Sequence, residues 1–440
     1  MKTVAIIAEF NPFHNGHKYL LEQARKLTNA GQIIVIMSGN YVQRGGPAFL
    51  DKFTRTETAL LNGADLVIEL PFCYSMAKAS VFAHGAVSIL NSLGCVDYLC
   101  FGCETDILPL LKTLADISLK EPPLYKRILK KQLQSGQAFS HAKELALIEY
   151  IRSVQDAQWN ISLSQQELSQ CLRSPNNILA IEYLAALKKI KSSICPISVK
   201  RIDTGYHSTE TCENEYGKFA SATAIREMIL HSDSTYHDYI PENTHEILSR
   251  RYQQFFPIVE NDFSGSIGYR LNELYFNHRT EVKPYFDVSD TIMNRIFNQL
   301  DSFVDISSFV NTLNSKSITS AYIRRTLFQL LLQLEQQDVW QIELADKFPY
   351  IRVLGFNKKG AGLLKSIKKT QTPLITKLSA SVAKLDESGK HILNLSMRAD
   401  AIYRMTAMEK YKQNIPNEHQ MGLIIKDEQP HTELRYSFSG

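Results

Sequence analysis

Val4-Ala5-Ile6-Ile7-Ala8-Glu9-Phe10-Asn11-Pro12-Phe13-His14-Asn15-Gly16-His17 carries the decision about the fold. The opening apolar run has strand length, and a strand apolar on both faces belongs in a parallel sheet covered by helices on both sides. Pro12 breaks the strand, Gly16 lets the backbone approach a ligand closely, and a helical pattern runs from about His17 to Leu27. The alternation repeats along the chain. Ile33–Met37 reads as a strand, Phe53 to Leu61 as a helix, and Asp65–Leu70 as a strand ended by Pro71. A helix near Ser80 to Leu90 then leads to a strand at Tyr98–Phe101. Strands separated by helices predict an α/β, doubly wound parallel sheet, whose ligands sit beyond the carboxyl ends of the strands.

Beyond Gly102 the pattern changes. Residues 105–190 read almost entirely as helix, and Pro196–Ile202 returns as one more strand of the same sheet, so 105–190 is a helical insertion. A polar stretch from Asp203 to Lys218 leads to a helix that starts near Ser221. From about residue 235 helical patterns dominate. The expected division is a catalytic domain at 1–232 and a mainly α domain at 233–440, in keeping with a length of 440 residues.

Hydrophobic residues make up 44% and charged residues 21%, a soluble globular balance that excludes fibre and disorder. No apolar run approaches the roughly 18 residues of a membrane span, and Met1 leads straight into a strand, so neither a membrane partner nor a signal peptide is expected and the location is cytoplasmic. Lys plus Arg is 49 against 45 acidic residues, a net +4 that leaves the distribution of charge more informative than its sum. Seven cysteines read as reduced thiols. Cys95, Cys100 and Cys103 have the C-x4-C-x2-C spacing of iron–sulfur ligands, but no fourth ligand is evident and Cys100 lies in an apolar strand. No protein-held metal is expected.

His14 and His17 straddle the start of the first helix, where free backbone N–H groups and the helix dipole favour an anion. Two imidazoles there can bond phosphate oxygens and counter charge that builds at phosphorus during displacement. A second element, Ala220-Ser221-Ala222-Thr223-Ala224-Ile225-Arg226, opens the helix after the last sheet strand. Ser221 and Thr223 offer hydroxyls, and Arg226, one turn in, can reach phosphate. Together the two elements make a triphosphate clamp.

H-x-G-H followed by Ser-x-Thr-x-Ile-Arg resembles the nucleotidylyltransferase superfamily, with its Rossmann-like core. The blocks Glu9–His17, Met37–Asn40, Gln43–Gly45, Leu66–Pro71, Ser174–Leu179, Lys200-Arg201 with Gly205-Tyr206-His207, and Ser221–Arg226 resemble, more closely, the bacterial tRNA(Met) cytidine acetate ligases. That resemblance implies a reaction: ATP and acetate give acetyl-adenylate and pyrophosphate, and the acetyl group passes to N4 of the wobble cytidine of elongator tRNA(Met). It implies His14, His17, Ser221, Thr223 and Arg226 as catalytic residues. It implies a nucleotide site over Ile7, Ala8, Glu9, Phe10, Asn11, Pro12, Phe13, His14, Asn15, Gly16, His17, Lys18, Tyr19 and Leu20, joined by Gly102, Asn176 and Arg201. Gly102 is placed where a side chain would obstruct adenine or ribose. Mg2+ is expected to accompany the triphosphate, and no obligate protein partner is evident. Two positions depart from the pattern: Ala8 stands where a bulkier apolar residue is usual, and Ala222 removes the middle hydroxyl of the second element.

Other residues carry weaker signals. Gln43 and Arg44 follow the second strand on the ligand side and can hold acetate, pyrophosphate or RNA. Lys52 and Arg55 read as a solvated basic face, His84 and His141 as structural, and His207 as a site candidate beside Arg201. Arg352, Lys358, Lys359, Lys365, Lys368, Lys369, Lys377 and Lys384 fall within 351–384 without an Asp or Glu, the charge footprint of a phosphate backbone. Lys358, Lys359, Lys365, Lys368 and Lys369 are its candidate RNA contacts. The alternatives are a small-molecule adenylyltransferase, which leaves the insertion and the helical half unexplained, and a non-catalytic RNA-binding protein, against which the intact His14, Gly16, His17, Thr223 and Arg226 count.

Overall fold

The computed structural model describes residues 1–105, 107–137, 139–154, 164–202, 211–277, 285–338, 348–426 and 435–436. Strand β1 (Thr3–Ala8) leads to helix α1 (Asn15–Thr28), β2 (Gln32–Ser38) to α2 (Lys52–Leu61), and β3 (Leu66–Leu70) to α3 (Phe72–Ser75) and α4 (Ala79–Leu93), before β4 (Tyr98–Cys103). Five helices follow: α5 (Leu108–Lys120), α6 (Pro123–Gln134), α7 (Phe139–Ser153), α8 (Gln165–Arg173) and α9 (Pro175–Lys189). Strand β5 (Cys195–Lys200) then pairs parallel to β4, so these helices are an excursion between two neighbouring strands. A hairpin, β6 (Thr211–Asn214) and β7 (Gly217–Ala220), precedes α10 (Ala222–Leu230).

The parallel strands are ordered 3-2-1-4-5, and the order reverses between β1 and β4. A crevice opens at their carboxyl ends there, because the connections from β1 and β4 leave in opposite directions. Ile33, Ile34, Val35, Ile36 and Met37 of β2 are all fully buried, as a strand covered on both faces requires. Alternate residues fall into two separate cores, one containing Leu21, Phe53 and Leu60 and the other containing Val87, Leu90 and Leu184. Cys100 belongs to the first and Cys103 to the second, so their sulfurs face opposite sides of the sheet and act as small apolar groups.

The half read as mainly helical, 233–440, also contributes four of the described strands to this sheet. Helices fill much of that half, including Ser264–Asn277, Ser320–Leu332 and Glu387–Tyr411. Yet β8 (Ile351–Asn357) lies antiparallel beside β3, and β9 (Leu374–Ile375) pairs with β8. On its other side β10 (Ile424–Lys426) runs parallel to β8, with β11 (Arg435–Tyr436) at the edge. The physical reason is the unmet edge of β3: its polar backbone is buried and requires a partner strand. Ile351, Val353 and Leu354 supply one that is buried on both faces.

Candidate active site

The site begins where β1 ends. Phe10 is buried with φ 49°, a left-handed conformation that costs energy in a bulky residue and turns the chain toward α1. Asn11 Oδ1 then accepts the Phe49 backbone N–H at 2.8 Å, fixing this turn to the loop after β2. His14 is the N-cap of α1. Its Nδ1 accepts the Gly16 N–H at 3.1 Å, and His17 Nδ1 accepts the His14 N–H at 3.2 Å, a reciprocal cap built from two imidazoles. The rings stack with centroids 3.7 Å apart. A Cβ on Gly16 would meet His14 Cε1 at 2.9 Å, so the glycine between the histidines makes room for the first ring.

Burial, with the charges of Arg201 and Arg226 behind it, takes the His14 pKa down to about 3. Burial again, then His14 and Arg201, holds His17 well below its ordinary value. Both rings are therefore neutral at physiological pH. Because each Nδ1 accepts a backbone N–H, the remaining proton sits on Nε2. Each histidine thus carries an N–H donor at the head of α1 without being a cation.

A cleft lined by Gly16, His17, Tyr19, Gly102, Arg201 and Ile202 lies at the β1–β4 reversal. The Arg201 N–H bonds the Cys103 carbonyl at 2.9 Å, and its side chain crosses directly over Gly102. A Cβ there would meet Arg201 Cγ at 3.1 Å, so Gly102 admits an arginine where the sequence reading anticipated room for base or ribose. Asn176, at the start of α9, donates to Glu104 Oε1 at 2.6 Å, and the Asn177 N–H bonds Glu104 Oε2 at 3.0 Å. Glu104, which follows β4, thus anchors that helix start to the rim of the cleft; the sequence reading passed over it.

The second element closes the site from the other side. Ser221 caps α10 by accepting the Ala224 N–H at 3.0 Å. Arg226 donates to the Asn11 carbonyl at 2.7 Å and to Thr223 Oγ1 at 3.0 Å. Asn15 Nδ2 bonds the Lys218 and Asp238 carbonyls at 2.9 and 3.0 Å, so α1 is stitched to the hairpin before α10 and to the 3-10 turn after it. His14, His17, Arg201 and Arg226 are brought together, while Asn176 is tied to Glu104 at the rim. Gly205-Tyr206-His207 lies outside the described residues.

Two sequence readings are corrected here. Lys52 and Arg55 form no solvated face; both are fully buried. Arg55 donates to the Glu9 carbonyl at 2.7 Å, the Ser38 carbonyl at 3.0 Å and the Leu50 carbonyl at 2.9 Å, clamping the carboxyl ends of β1 and β2. Lys52 bonds Glu69 at 2.8 Å, Asp400 at 2.5 Å and Glu418 at 3.1 Å. Arg352 is no part of an unbalanced basic surface, because it is buried against Glu69 at 3.1 Å and against Glu418. Of the acids that balance these cations, Glu69 stands 17 residues from Lys52, Glu418 stands 66 from Arg352 and Asp400 stands 348 from Lys52, all beyond the reach of a helix-turn pattern. A cavity of about 270 Å³ adjoins this network, lined by Asn40, Phe53, Asp400, Tyr403 and Glu418, apart from the two histidines.

Gln43 bonds Glu9 through its backbone N–H at 2.8 Å, and Arg44 is exposed nearby. His141 pairs with Glu144 at 3.0 Å inside the insertion. Lys358, Lys359, Lys365, Lys368 and Lys369 are exposed. Lys358 and Lys359 follow Asn357, whose N–H bonds the Asp65 carbonyl at 3.0 Å at the amino end of β3. They therefore lie at the sheet edge opposite the histidines, about 20 Å away across the strands.

A family model described as HIGH Nucleotidyl Transferase matches residues 1–418. The chain is 41% identical to a tRNA(Met) cytidine acetate ligase of Caldanaerobacter subterraneus subsp. tengcongensis over 391 residues, 88% of this chain and 92% of that one. A protein of the same name from Acetivibrio thermocellus is 36% identical over 432 residues, 97% and 100% of the two chains. The crystal structure of Thermotoga maritima TmcAL bound with alpha-thio ATP superposes with a TM-score of 0.85 at 28% identity, covering 97% of this chain and all of that chain, 100%.

Proposed function

Because this chain belongs to the HIGH nucleotidyl transferase family, among the tRNA(Met) cytidine acetate ligases, we propose that it activates acetate with ATP and acetylates N4 of the wobble cytidine of elongator tRNA(Met). The observation that carries this reading is the pair of neutral, stacked histidines at the head of α1, set between Arg201 and Arg226. Acetate is ionised at neutral pH, so its attack on the α-phosphorus requires no general base. It requires alignment and stabilisation of the charge that moves onto the phosphate oxygens and the departing pyrophosphate. The Nε2–H groups of His14 and His17 supply donors, and Arg201 and Arg226 supply the positive charge. Ser221 and Thr223 frame the triphosphate, and the positive end of the α1 dipole adds to its cradle. Tyr19 and Leu20 flank the nucleotide, and Asn176 meets it at the rim.

Among the described residues no group of three His, Cys, Asp or Glu side chains is placed to hold a metal ion. Mg2+ enters with ATP, as the counter-ion of its triphosphate. Also among the described residues, no helix is long and apolar enough to cross a membrane. The tRNA is engaged at its anticodon by the site and at its backbone by Lys358, Lys359, Lys365, Lys368 and Lys369.

ATP–pyrophosphate exchange, measured with and without acetate and without RNA, tests the first half-reaction, beside a His17→Ala control. Acetate-dependent exchange lost in the variant, followed by N4-acetylcytidine in tRNA digests, is the expected result. Exchange absent even with tRNA added would replace the reading with transfer of a nucleotidyl group to a small metabolite.

A further inference from the structure

Acetate activation leaves one group of the site without a task. Glu9 sits at the end of β1, half-buried, with Arg55 gripping its backbone carbonyl at 2.7 Å. Its Oε1 accepts the Gln43 N–H at 2.8 Å, and among the described residues its Oε2 has no partner. A carboxylate beside a triphosphate and an acetate is repulsive to both, so its presence calls for a step in which a negative acceptor is useful. The second half-reaction is such a step. Cytosine N4 is a hydrogen-bond donor in its ground state, and carboxylates are its natural acceptors. When N4 attacks the acetyl carbonyl, its protons become acidic and one must leave.

We propose that Glu9 is a catalytic residue of the transfer step, its free Oε2 accepting a hydrogen bond from the cytidine N4 amine and taking a proton as the amide forms. This rests on the acetate-ligase reading above. In the step the N4–carbon bond forms, the bond between the acetyl carbon and the phosphate oxygen breaks, AMP leaves as the anion, and one N4 proton passes to Glu9 and later to water. Uridine offers O4, an acceptor, at the same position and would be repelled by the carboxylate.

The placement agrees with this role. The nucleotide cleft lies on the β4 side of β1, while Gln43 holds Glu9 toward the β2 side, so the acceptor base approaches from the face that ATP leaves open. Arg55 of α2, Arg44 of the loop after β2, Arg226 of α10 and Tyr183 of α9 are the charged and titratable groups around it. Burial raises the Glu9 carboxyl above its ordinary value, and the Gln43 N–H and the three arginines oppose that rise. The result is a stronger base than a solvated carboxylate.

The test separates the half-reactions. Wild-type, Glu9→Gln and Glu9→Asp proteins are charged with ATP and labelled acetate, tRNA(Met) transcript is added, and N4-acetylcytidine is followed in single turnover from pH 5.5 to 8.5. Glu9→Gln is expected to slow transfer at least 30-fold more than it slows acetate-dependent ATP–pyrophosphate exchange, and to lose the fall in transfer rate toward acid pH. Glu9→Asp is expected to keep that acid limb. Equal slowing of both half-reactions, or an acid limb retained by Glu9→Gln, overturns the role while leaving the reaction standing. Wild-type protein without acetate-dependent exchange overturns the reaction and the role together.

Discussion

The guanidinium of Arg226 donates to the main-chain carbonyl of Asn11 at 2.7 Å, across 215 residues of sequence. The bond joins the turn after β1 to α10 one turn in from its start, so the two signature elements act as one rigid clamp. Arg226→Ala removes both the clamp and a cation facing phosphate. Acetate-dependent exchange is expected to fall on the order of 10²-fold. Arg226→Lys, which keeps the charge but loses the fork, is expected to recover part of that loss.

Gly16→Ala places a methyl 2.9 Å from His14 Cε1 and 3.1 Å from Nδ1. In an open helix the change would gain up to about 1 kcal/mol. Here it pushes the first imidazole out of its stack with His17. Exchange activity is expected to drop at least about 10-fold while the urea midpoint moves little. A variant that lost both together would show that the ring's place is structural.

The histidines also set a dependence on acidity. His14 titrates near 6.5 in the unfolded chain and near 3 when folded, so below pH 6.5 the unfolded state binds a proton that the native state refuses. Its contribution is complete above pH 6.5 and declines as the pH falls toward 3, by on the order of 1 kcal/mol per pH unit. Asp400, which burial pushes up to about 7, has the opposite sign and gains stability over the upper part of that range. His14→Asn retains a helix cap without titrating. Urea midpoints between pH 7 and 4 are expected to fall less steeply in this variant than in the wild type, with Asp400 common to both.

Lys52 and Arg352 face Glu69, Asp400 and Glu418, two cations against three carboxylates. Lys52→Met leaves those acids opposite a single arginine and is expected to destabilise the protein by about 3–5 kcal/mol. Asp400→Asn keeps the shape of the site and removes the excess negative charge, so its cost in the same denaturation experiment is expected to be much smaller. Equal losses would show that shape, not charge balance, holds the cluster.

Replacing Lys358, Lys359, Lys365, Lys368 and Lys369 together by alanine tests the proposed tRNA surface. Acetylation is expected to need more tRNA, and the slope of affinity against salt concentration to become shallower, with ATP–pyrophosphate exchange in the absence of RNA as the reference. An unaltered slope would place the tRNA elsewhere, which the position of Lys358 and Lys359 at the edge opposite the histidines makes a sharp test.

What could be read from sequence follows the range of the interactions. Ile33–Met37 declares itself because a strand covered on both faces is apolar throughout, and His14, Gly16 and His17 declare themselves because their contacts lie within three residues. Lys52 and Arg55 do not. A lysine and an arginine one turn apart look solvated until Asp400 and Glu418 are seen against the first and the carbonyls of Glu9 and Ser38 against the second. Ile351–Asn357 has strand length and strand character, but it stands among helices and its partner is β3. Glu104 carries no signal of its own in the sequence, and only the fold puts Asn176 beside it.

The pairing of β8 with β3 also bears on synthesis. As the chain leaves the ribosome, β1 to β5 can assemble early, but β3 waits for its neighbour through the roughly 290 residues that separate Leu70 from Asn357. At about 5–20 residues per second that is some 15–60 seconds with a bare strand edge. During that interval the nascent first half is open to pairing with another copy of itself, so every polysome that makes this protein has to keep those edges apart until the late strand arrives.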